Sequence, residues 1–353
     1  MNLNDVDVFR RLDSANMLAH IEGLPDQLQR AWEQGSNLPL PTWQDVRQVV
    51  VAGVGGSAIG ADLLKSYIQP VCRVPFVIHR DYGLPAWAHG EQTLVIASSH
   101  SGNTEETLSA CMSAQDAGCR LLAVCTGGKL SELVHQSDAP VWNFNHQGQP
   151  RTAVGYSFGL LLAAITRLGL IPDPAEEVED AVRAMKTQQI RLRAESPDVQ
   201  NPAKRFAGQL VNRWVAVIGA EILAPVARRW KGQISEVAKA WGQFEDIPEV
   251  DHNTLAGIQN PETLLSNLAT IFLRAAHTHP RNQQRIELTK QTFMLQGIAT
   301  DFYDAQGETR LANQWTALHF GDYVSYYLAM AYGVDPTPIE SIMAFKRQLA
   351  GVG

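Results

Sequence analysis

Long hydrophobic runs and a secretion signal are both lacking in this chain. The opening stretch, MNLNDVDVFRRLDS, has no apolar core of the kind that directs secretion. The most apolar long run, residues 156–171, is short for a membrane span and contains Arg167. Cysteine is scarce as well, and the four cysteines form no CxxC pair, which predicts free thiols. We therefore expect a cytoplasmic protein with no membrane partner.

An excess of basic residues is also lacking. The 29 Lys and Arg are outnumbered by 36 Asp and Glu, giving a formal net charge of −7, whereas a general nucleic-acid binder needs a basic face. Apolar residues make up 45% of the 353 positions and charged residues 18%. This composition supports a hydrophobic core and excludes a largely disordered chain. We expect no nucleic-acid partner.

No cluster of metal ligands stands out in the sequence. His277 and His279 are the only closely spaced histidines, and they lack carboxylate or thiolate partners at ligand spacing. We therefore predict that the protein works without a metal.

Apolar runs typical of buried strands alternate with helical patterns through both halves of the chain. The strand-like runs are residues 49–53, 74–78, 94–98, 121–125, 140–144, 214–220, 264–271 and 298–303. This alternation predicts an α/β fold in which mainly parallel sheets are covered by helices on both faces. Because the second half repeats the strand-to-glycine pattern of the first, we predict two similar domains.

The predicted domain boundaries follow from composition. An amphipathic helix at residues 13–32 and the prolines after it define an N-terminal helical segment, residues 1–40. A second break lies at Glu195-Ser196-Pro197. The first domain is therefore expected at residues 41–195 and the second at 196–353.

A hydroxyl-rich loop follows the strand-like run at residues 94–98. The loop sequence SSHSGNT, residues 98–104, leads directly into a helical pattern that begins at Glu105. Backbone N–H groups and the positive end of the helix dipole suit a phosphate at such a position, and hydroxyls can donate further hydrogen bonds. The alternative is a plain capping box with Ser101 or Asn103 as N-cap.

A glycine turn, GVGGSAIG at residues 53–60, follows the first strand-like run. Its Gly53-x-Gly55-x-x-Ala58 spacing also satisfies a dinucleotide fingerprint, with Asp81 at a plausible distance for a ribose contact. A nicotinamide-dependent oxidoreductase is therefore an alternative. Two hydroxyl-rich loops at the carboxyl ends of strands fit one compact phosphate monoester better.

Five motifs carry a resemblance to a known family. Residues 53–60 (GVGGSAIG) and 99–107 (SHSGNTEET) resemble the two phosphosugar loops of the sugar isomerase (SIS) domain. Residues 230–239 (WKGQISEVAK), 247–253 (IPEVDHN) and 334–338 (VDPTP) resemble the bifunctional phosphoglucose/phosphomannose isomerases. The resemblance covers about residues 45–349 and implies two SIS-type domains.

The sequence departs from that family at several positions. The family usually has Asn at Ser235 and at Asp251, and often has Glu at Thr254. Residues 262–279 match poorly. These departures bear on substrate preference more than on the chemistry.

Glu236 is the catalytic base that the resemblance implies. The helical pattern around it has an apolar stripe that includes Trp230 and Trp241, and Glu236 falls on the opposite face beside Lys239. Periodicity alone therefore favours an exposed Glu236–Lys239 ion pair. A carboxylate on one face of a cis-enediolate can instead move the proton between carbon 2 and carbon 1 of a hexose phosphate.

Four further residues receive roles through the resemblance. His252 would open the sugar ring from a neighbouring subunit, which implies a homodimer with shared active sites. The alternative is that His252 is an ordinary loop histidine. Lys346 would assist ring opening, or simply snorkel from the last helix. Arg151 would stabilise the enediolate oxygens. Thr337 would leave room for rotation about the carbon 2–carbon 3 bond, or cap the last helix.

The implied activity is isomerisation of glucose 6-phosphate, and also of mannose 6-phosphate, to fructose 6-phosphate by ring opening and cis-enediolate proton transfer. No cofactor is expected. The other alternative is a phosphosugar sensor without catalytic activity. The predicted substrate-binding residues, besides Thr337, are Gly55, Gly56, Ser57, Ser99, Ser101, Gly102 and Thr104.

Overall fold

Each half of the chain folds around a parallel β-sheet. A computed structural model describes residues 2–351. The strands are β1 (Gln48–Ala52), β2 (Phe76–His79), β3 (Thr93–Ser99), β4 (Arg120–Cys125), β5 (Val141–Asn143), β6 (Trp214–Ala220), β7 (Gly242–Ile247), β8 (Leu268–Arg274) and β9 (Ala299–Asp304). The helices are α1 (Val6–Leu12), α2 (Met17–Glu22), α3 (Leu24–Asn37), α4 (Gly55–Ile68), α5 (Glu105–Asp116), α6 (Gly128–His135), α7 (Val154–Arg167), α8 (Ala175–Leu192), α9 (Pro202–Leu210), α10 (Ala224–Glu236), α11 (Glu262–Leu265), α12 (Pro280–Leu295), α13 (Arg310–Tyr332) and α14 (Glu340–Ala350).

The order of the strands places the loops that carry the predicted chemistry. The first sheet has the order β2-β1-β3-β4-β5 and the second has β7-β6-β8-β9, and all neighbouring strands run parallel. In the first sheet the chain crosses from one side of β1 to the other, so the crevice where such folds bind ligands lies between the carboxyl ends of β1 and β3. Both predicted phosphate loops begin there. The predicted α/β fold with two SIS-type sheets is confirmed.

Helices from both halves share one buried layer. Every residue of α13 from Leu311 to Met330 is buried, because α13 packs against α2, α4, α8, α9 and α10. The N-terminal helix α3 packs against α7 and α8. The predicted boundary at residue 195 therefore falls between α8 and α9, which both pack on α13.

The structure differs from the predicted elements at three places. The leading helix predicted at residues 13–32 is divided at Gly23 into α2 and α3. Strand β7 was not predicted, because its sequence GQFEDI is polar, as suits a strand at the edge of a sheet. The helix expected to continue to Trp241 ends at Glu236, since Lys239 adopts a left-handed φ of +56°. Trp241 is consequently 72% exposed and belongs to no buried stripe.

No helix among the described residues 2–351 is long and apolar enough to pass through a lipid bilayer.

Candidate active site

Serine and threonine hydroxyls organise the loop between β3 and α5. The Ser99 hydroxyl lies 2.9 Å from the Thr104 hydroxyl and accepts the Gly102 N–H at 3.1 Å. The Ser57 hydroxyl, at the start of α4, accepts the His100 N–H at 3.2 Å. Ser57 therefore ties the glycine turn to the hydroxyl-rich loop, and the structure brings the two predicted phosphate loops together.

The first turn of α5 has no side-chain cap. Thr104 is the N-cap residue, yet its side chain accepts no bond from the helix. Ser101 accepts the Asn103 N–H at 3.2 Å, and Asn103 accepts the Lys129 N–H of the next helix at 3.2 Å. Neither of the two predicted caps is therefore used at α5, which leaves the N–H groups of its first turn facing the crevice without a side-chain acceptor.

Close backbone packing fixes the position of this loop. Gly102 has a φ of +68°, and a Cβ atom there would lie 1.8 Å from the Gly127 carbonyl oxygen. A Cβ on Gly56 would lie 2.7 Å from the Pro150 carbonyl oxygen. The glycine turn thus touches the short 3-10 turn Pro150–Thr152, and only residues without a side chain allow this approach.

Arg151 and Glu236 form an ion pair beside these loops. The Arg151 side chain is 5% exposed, and its Nη1 lies 3.5 Å from Glu236 Oε2. Its Nη2 donates to the carbonyl oxygens of Pro336 at 3.1 Å and Thr337 at 2.5 Å. Burial lowers the pKa of Arg151, and the Glu236 carboxylate opposes that shift. The guanidinium is thus held between a carboxylate and the loop that contains Thr337.

Lys239 occupies a different position from the one that periodicity favours. Its ammonium group donates to the backbone carbonyls of Glu236 at 2.6 Å, Pro336 at 3.2 Å and Val237 at 3.5 Å. The carboxylate of Glu236 is paired with Arg151 instead, so the predicted alternative of a Glu236–Lys239 ion pair is wrong. Burial, and then the charge of Arg151, lower the pKa of Lys239 to about 8.

A cavity of about 590 Å³ lies between the end of α10 and the start of α14. Glu236, Lys239 and Asp335 line it together with residues of the first turn of α14. No site role for Lys239 was predicted from the sequence, although this residue ends the 230–239 motif. Its left-handed backbone, which is unusual for a residue with a long side chain, is visible only in the structure.

A pair of hydrogen-bonded histidines was also missed. His100 Nε2 lies 2.9 Å from His146 Nδ1, and His146 Nε2 lies 3.3 Å from the Thr152 hydroxyl. Because that hydroxyl donates its only proton to the Gln149 carbonyl at 2.8 Å, His146 is the donor to Thr152 and His100 the donor to His146. Burial and the neighbouring histidines lower the pKa of His146 to about 4. The pair connects the hydroxyl-rich loop to the turn that carries Arg151.

His252 and Lys346 lie apart from this cluster. Both side chains are exposed, and neither makes a hydrogen bond or an ion pair within residues 2–351. Asp251 is bonded to Arg285 and Thr289 of α12, so it anchors the turn and leaves His252 toward solvent. The structure of one chain does not bring these two residues to Glu236.

An apolar stripe at i, i+3 and i+7 on α14 does not face the core of its own chain. Ile342, Phe345 and Leu349 of α14 are 38%, 62% and 49% exposed. Sequence periodicity identifies the stripe but does not indicate what covers it.

Among the described residues, no three His, Cys, Asp or Glu side chains are grouped so that they could hold a metal ion.

Comparisons with known proteins bear on the family of this chain. The family model described as the bacterial phospho-glucose isomerase C-terminal SIS domain matches residues 199–349. The bifunctional phosphoglucose/phosphomannose isomerase of Caldicellulosiruptor bescii is 38% identical over 340 residues, covering 95% of this chain and 99% of that protein. The protein of the same name from Aquifex aeolicus is 30% identical over 315 residues, covering 87% and 94%.

A solved structure supports the same fold. A glucose-6-phosphate isomerase like protein from Thermus thermophilus superposes with a TM-score of 0.66 at 18% identity, covering 96% of this chain and 98% of that one. At that identity the likeness shows the fold alone. Together with the two relatives above, it leads to one conclusion: this chain belongs to the bifunctional phosphoglucose/phosphomannose isomerase family.

Proposed function

We propose that this protein interconverts glucose 6-phosphate and mannose 6-phosphate with fructose 6-phosphate; its relatives are named bifunctional phosphoglucose/phosphomannose isomerases. The observation that carries the proposal is the pairing of the buried Arg151 with Glu236 beside two hydroxyl-rich loops. Isomerising an aldose phosphate needs a binding site for the phosphate and a group that transfers the proton, and these features supply one each. The relatives do not favour a sensor or a nicotinamide-dependent oxidoreductase.

The phosphate is held at the first turn of α5. Its oxygens accept hydrogen bonds from the hydroxyls of the loop and from uncapped backbone N–H groups, which the helix dipole reinforces. These contacts fix the sugar at its carbon 6 end. The residues that take part are Gly55, Gly56, Ser57, Ser99, Ser101, Gly102 and Thr104.

Glu236 moves the proton. In the open-chain aldose its carboxylate removes the proton from carbon 2, and the electron pair forms a cis-enediolate whose negative charge rests on the oxygens. The hydroxyl proton passes from oxygen 2 to oxygen 1, and the carboxylic acid returns a proton to carbon 1, which gives the ketose and restores the carboxylate. Arg151 stabilises the enediolate, because its guanidinium is preorganised and buried where that charge develops.

Thr337 borders the reacting carbons. Its carbonyl is bound to Arg151, and its hydroxyl is buried without a hydrogen-bond partner among the described residues. A small side chain here leaves room for rotation about the carbon 2–carbon 3 bond. That rotation exposes the other face of the enediolate and admits mannose 6-phosphate.

Ring opening is assigned to a second copy of the chain. The exposed His252 and Lys346, and the exposed apolar side chains of α14, are accounted for together if the protein is a homodimer in which each copy completes the other's site.

Four free thiols, of which Cys111 and Cys125 are buried, fit a reducing compartment, and we place the enzyme in the cytoplasm.

The proton transfer is tested with the Glu236→Gln variant in heavy water. Wild-type conversion of fructose 6-phosphate leaves deuterium at carbon 2 of the aldose, whereas Glu236→Gln loses turnover by at least about 10²–10⁴-fold. Binding of 6-phosphogluconate is retained, because the phosphate loops are intact. Glu287→Gln is the matched control, since Glu287 is paired with Arg274 outside the cavity. Near-normal turnover in Glu236→Gln would remove the base from this proposal.

The shared site is tested by mixing subunits. Inactive His252→Ala and Glu236→Gln chains are exchanged with one another. A mixed dimer contains one intact composite site, so activity returns in part. If subunit exchange is demonstrated and no activity returns, His252 does not act across a dimer.

A further inference from the structure

A row of polar residues on α10 leads from the buried interior to the cavity. Arg229, Gln233 and Glu236 are spaced at i, i+4 and i+7, so they lie on one face of the helix. Arg229 is 5% exposed and Gln233 is 3% exposed. Two polar side chains are therefore buried directly behind the carboxylate to which we assign the proton transfer.

Arg229 makes a two-pronged ion pair with Asp322 of α13. The distances are 3.1 Å from Nε to Oδ1 and 2.7 Å from Nη2 to Oδ2, and the Gln233 amide donates to Oδ1 at 3.0 Å. Burial raises the pKa of Asp322, and the Arg229 charge opposes that shift. Burying two charges costs desolvation free energy that their attraction often does not recover, so stability alone is a weak explanation for the pair.

The same guanidinium also holds Arg151. Arg229 Nη2 donates to the backbone carbonyl of Arg151 at 3.1 Å, and the Arg151 side chain returns to α10 at Glu236. These contacts form a closed circuit, from Glu236 along α10 to Arg229, then to the Arg151 backbone, and through the Arg151 guanidinium to the Glu236 carboxylate. Asp322 anchors the circuit on the most buried helix of the protein.

We propose that Arg229, fixed by Asp322, is a positioning residue that sets the separation between Arg151 and Glu236. The proposal rests on the function proposed above. Without the Arg229 bond, the Arg151 carbonyl loses its charged donor, and the backbone of the turn Pro150–Thr152 loses its contact with Arg229 of α10. A displacement of about 1 Å at reacting groups is enough to cost about 10²-fold in rate.

The test compares Arg229→Met and Arg229→Lys with the wild type. We expect Arg229→Met to lower kcat by about 10–10²-fold, while KM and the Kd for 6-phosphogluconate change by less than about threefold, because the phosphate loops do not touch Arg229. Arg229→Lys keeps one charged hydrogen-bond donor, so we expect its kcat to lie between those of Arg229→Met and the wild type. Lys204→Met is the control, since Lys204 is a buried cation whose ammonium group donates to the carbonyls of Ala194 and Ser196 and lies over the rings of Phe9 and Tyr327. It lowers the melting temperature and leaves kcat unchanged.

A double-mutant cycle separates positioning from general damage. Added to Glu236→Gln, Arg229→Met causes a smaller loss of kcat than it causes alone if it acts through the Arg151–Glu236 pair, whereas two independent losses multiply. Multiplying losses, or a normal kcat in Arg229→Met, would overturn the proposal. If Arg229→Met does not fold, Asp322→Asn preserves the shape of the pair and carries the same expectations. High turnover in Glu236→Gln alone would contradict the proposed base, and the kcat of Arg229→Met would still decide on positioning.

Discussion

Replacing Gly102 by alanine separates two physical costs at the phosphate loop. Gly102 and Gly118 have nearly the same backbone, with φ of +68° and +66°, and either Ala substitution forces a side chain into the left-handed region. That strain costs about 1–2 kcal/mol. A Cβ on Gly118 meets nothing within 4 Å, whereas on Gly102 it meets the Gly127 carbonyl oxygen at 1.8 Å. Overpacking of this kind adds about 1–3 kcal/mol.

We therefore expect Gly102→Ala to lower the free energy of unfolding by about 2–5 kcal/mol and Gly118→Ala by about 1–2 kcal/mol. Chemical denaturation of the two variants measures the difference. Since the displaced loop carries Ser101 and Thr104, Gly102→Ala also weakens binding of 6-phosphogluconate at least about tenfold, the value of one hydrogen bond to a charged group. Gly118→Ala binds normally. Equal stability and equal affinity in the two variants would refute the argument that close packing positions this loop.

Three further predictions concern charge and assembly. Lys239→Met removes a basic limb near pH 8 from the profile of kcat against pH, because the ammonium group that holds the Pro336 carbonyl loses its charge there. If the limb persists in the variant, Lys239 is not its source. Because the pKa of Lys239 is lower in the folded chain than in the unfolded one, the unfolded chain binds more protons between about pH 8 and 10, so this residue makes stability rise with pH in that window. The pKa of His146 is lowered from 6.5 to about 4, so the unfolded chain takes up the proton first as the pH falls. Up to about 3 kcal/mol of stability is therefore lost between pH 6.5 and 4. We expect His146→Gln to flatten that part of a plot of melting temperature against pH. Phe345→Asp places a charge in the exposed stripe of α14 and gives a monomer with low activity that still binds 6-phosphogluconate, as sedimentation and titration will measure; an active monomer would contradict the shared site.

The interior of the fold was predictable from sequence, whereas its edges were not. Strands such as β1 and β3 consist of continuous apolar residues, because parallel strands are buried on both faces. The polar β7 carries no such signal. Helix α10 was predicted to be too long, since nothing in the sequence indicates that Lys239 adopts a left-handed backbone that ends the helical run.

The candidate site was predictable in parts. The resemblance supplied Arg151 and Glu236, but their contact joins two halves of the chain and follows only from tertiary structure. The capping alternative at α5 failed because Ser101 and Asn103 bond elsewhere, which depends on the loop after β4. The roles of His252 and Lys346 stay predictions, because one chain does not bring them to the cavity.

The burial of α13 on all sides has a consequence for how this protein is divided. Helix α8 belongs to the predicted first domain and α9 to the second, yet both cover α13. A chain ending near residue 195 would expose the apolar face of α8, and a chain beginning there would expose the surface of α13 that packs against α2, α4 and α8. The two halves, although each resembles a complete domain, are therefore expected to unfold in one cooperative transition, and neither is a suitable fragment for expression alone.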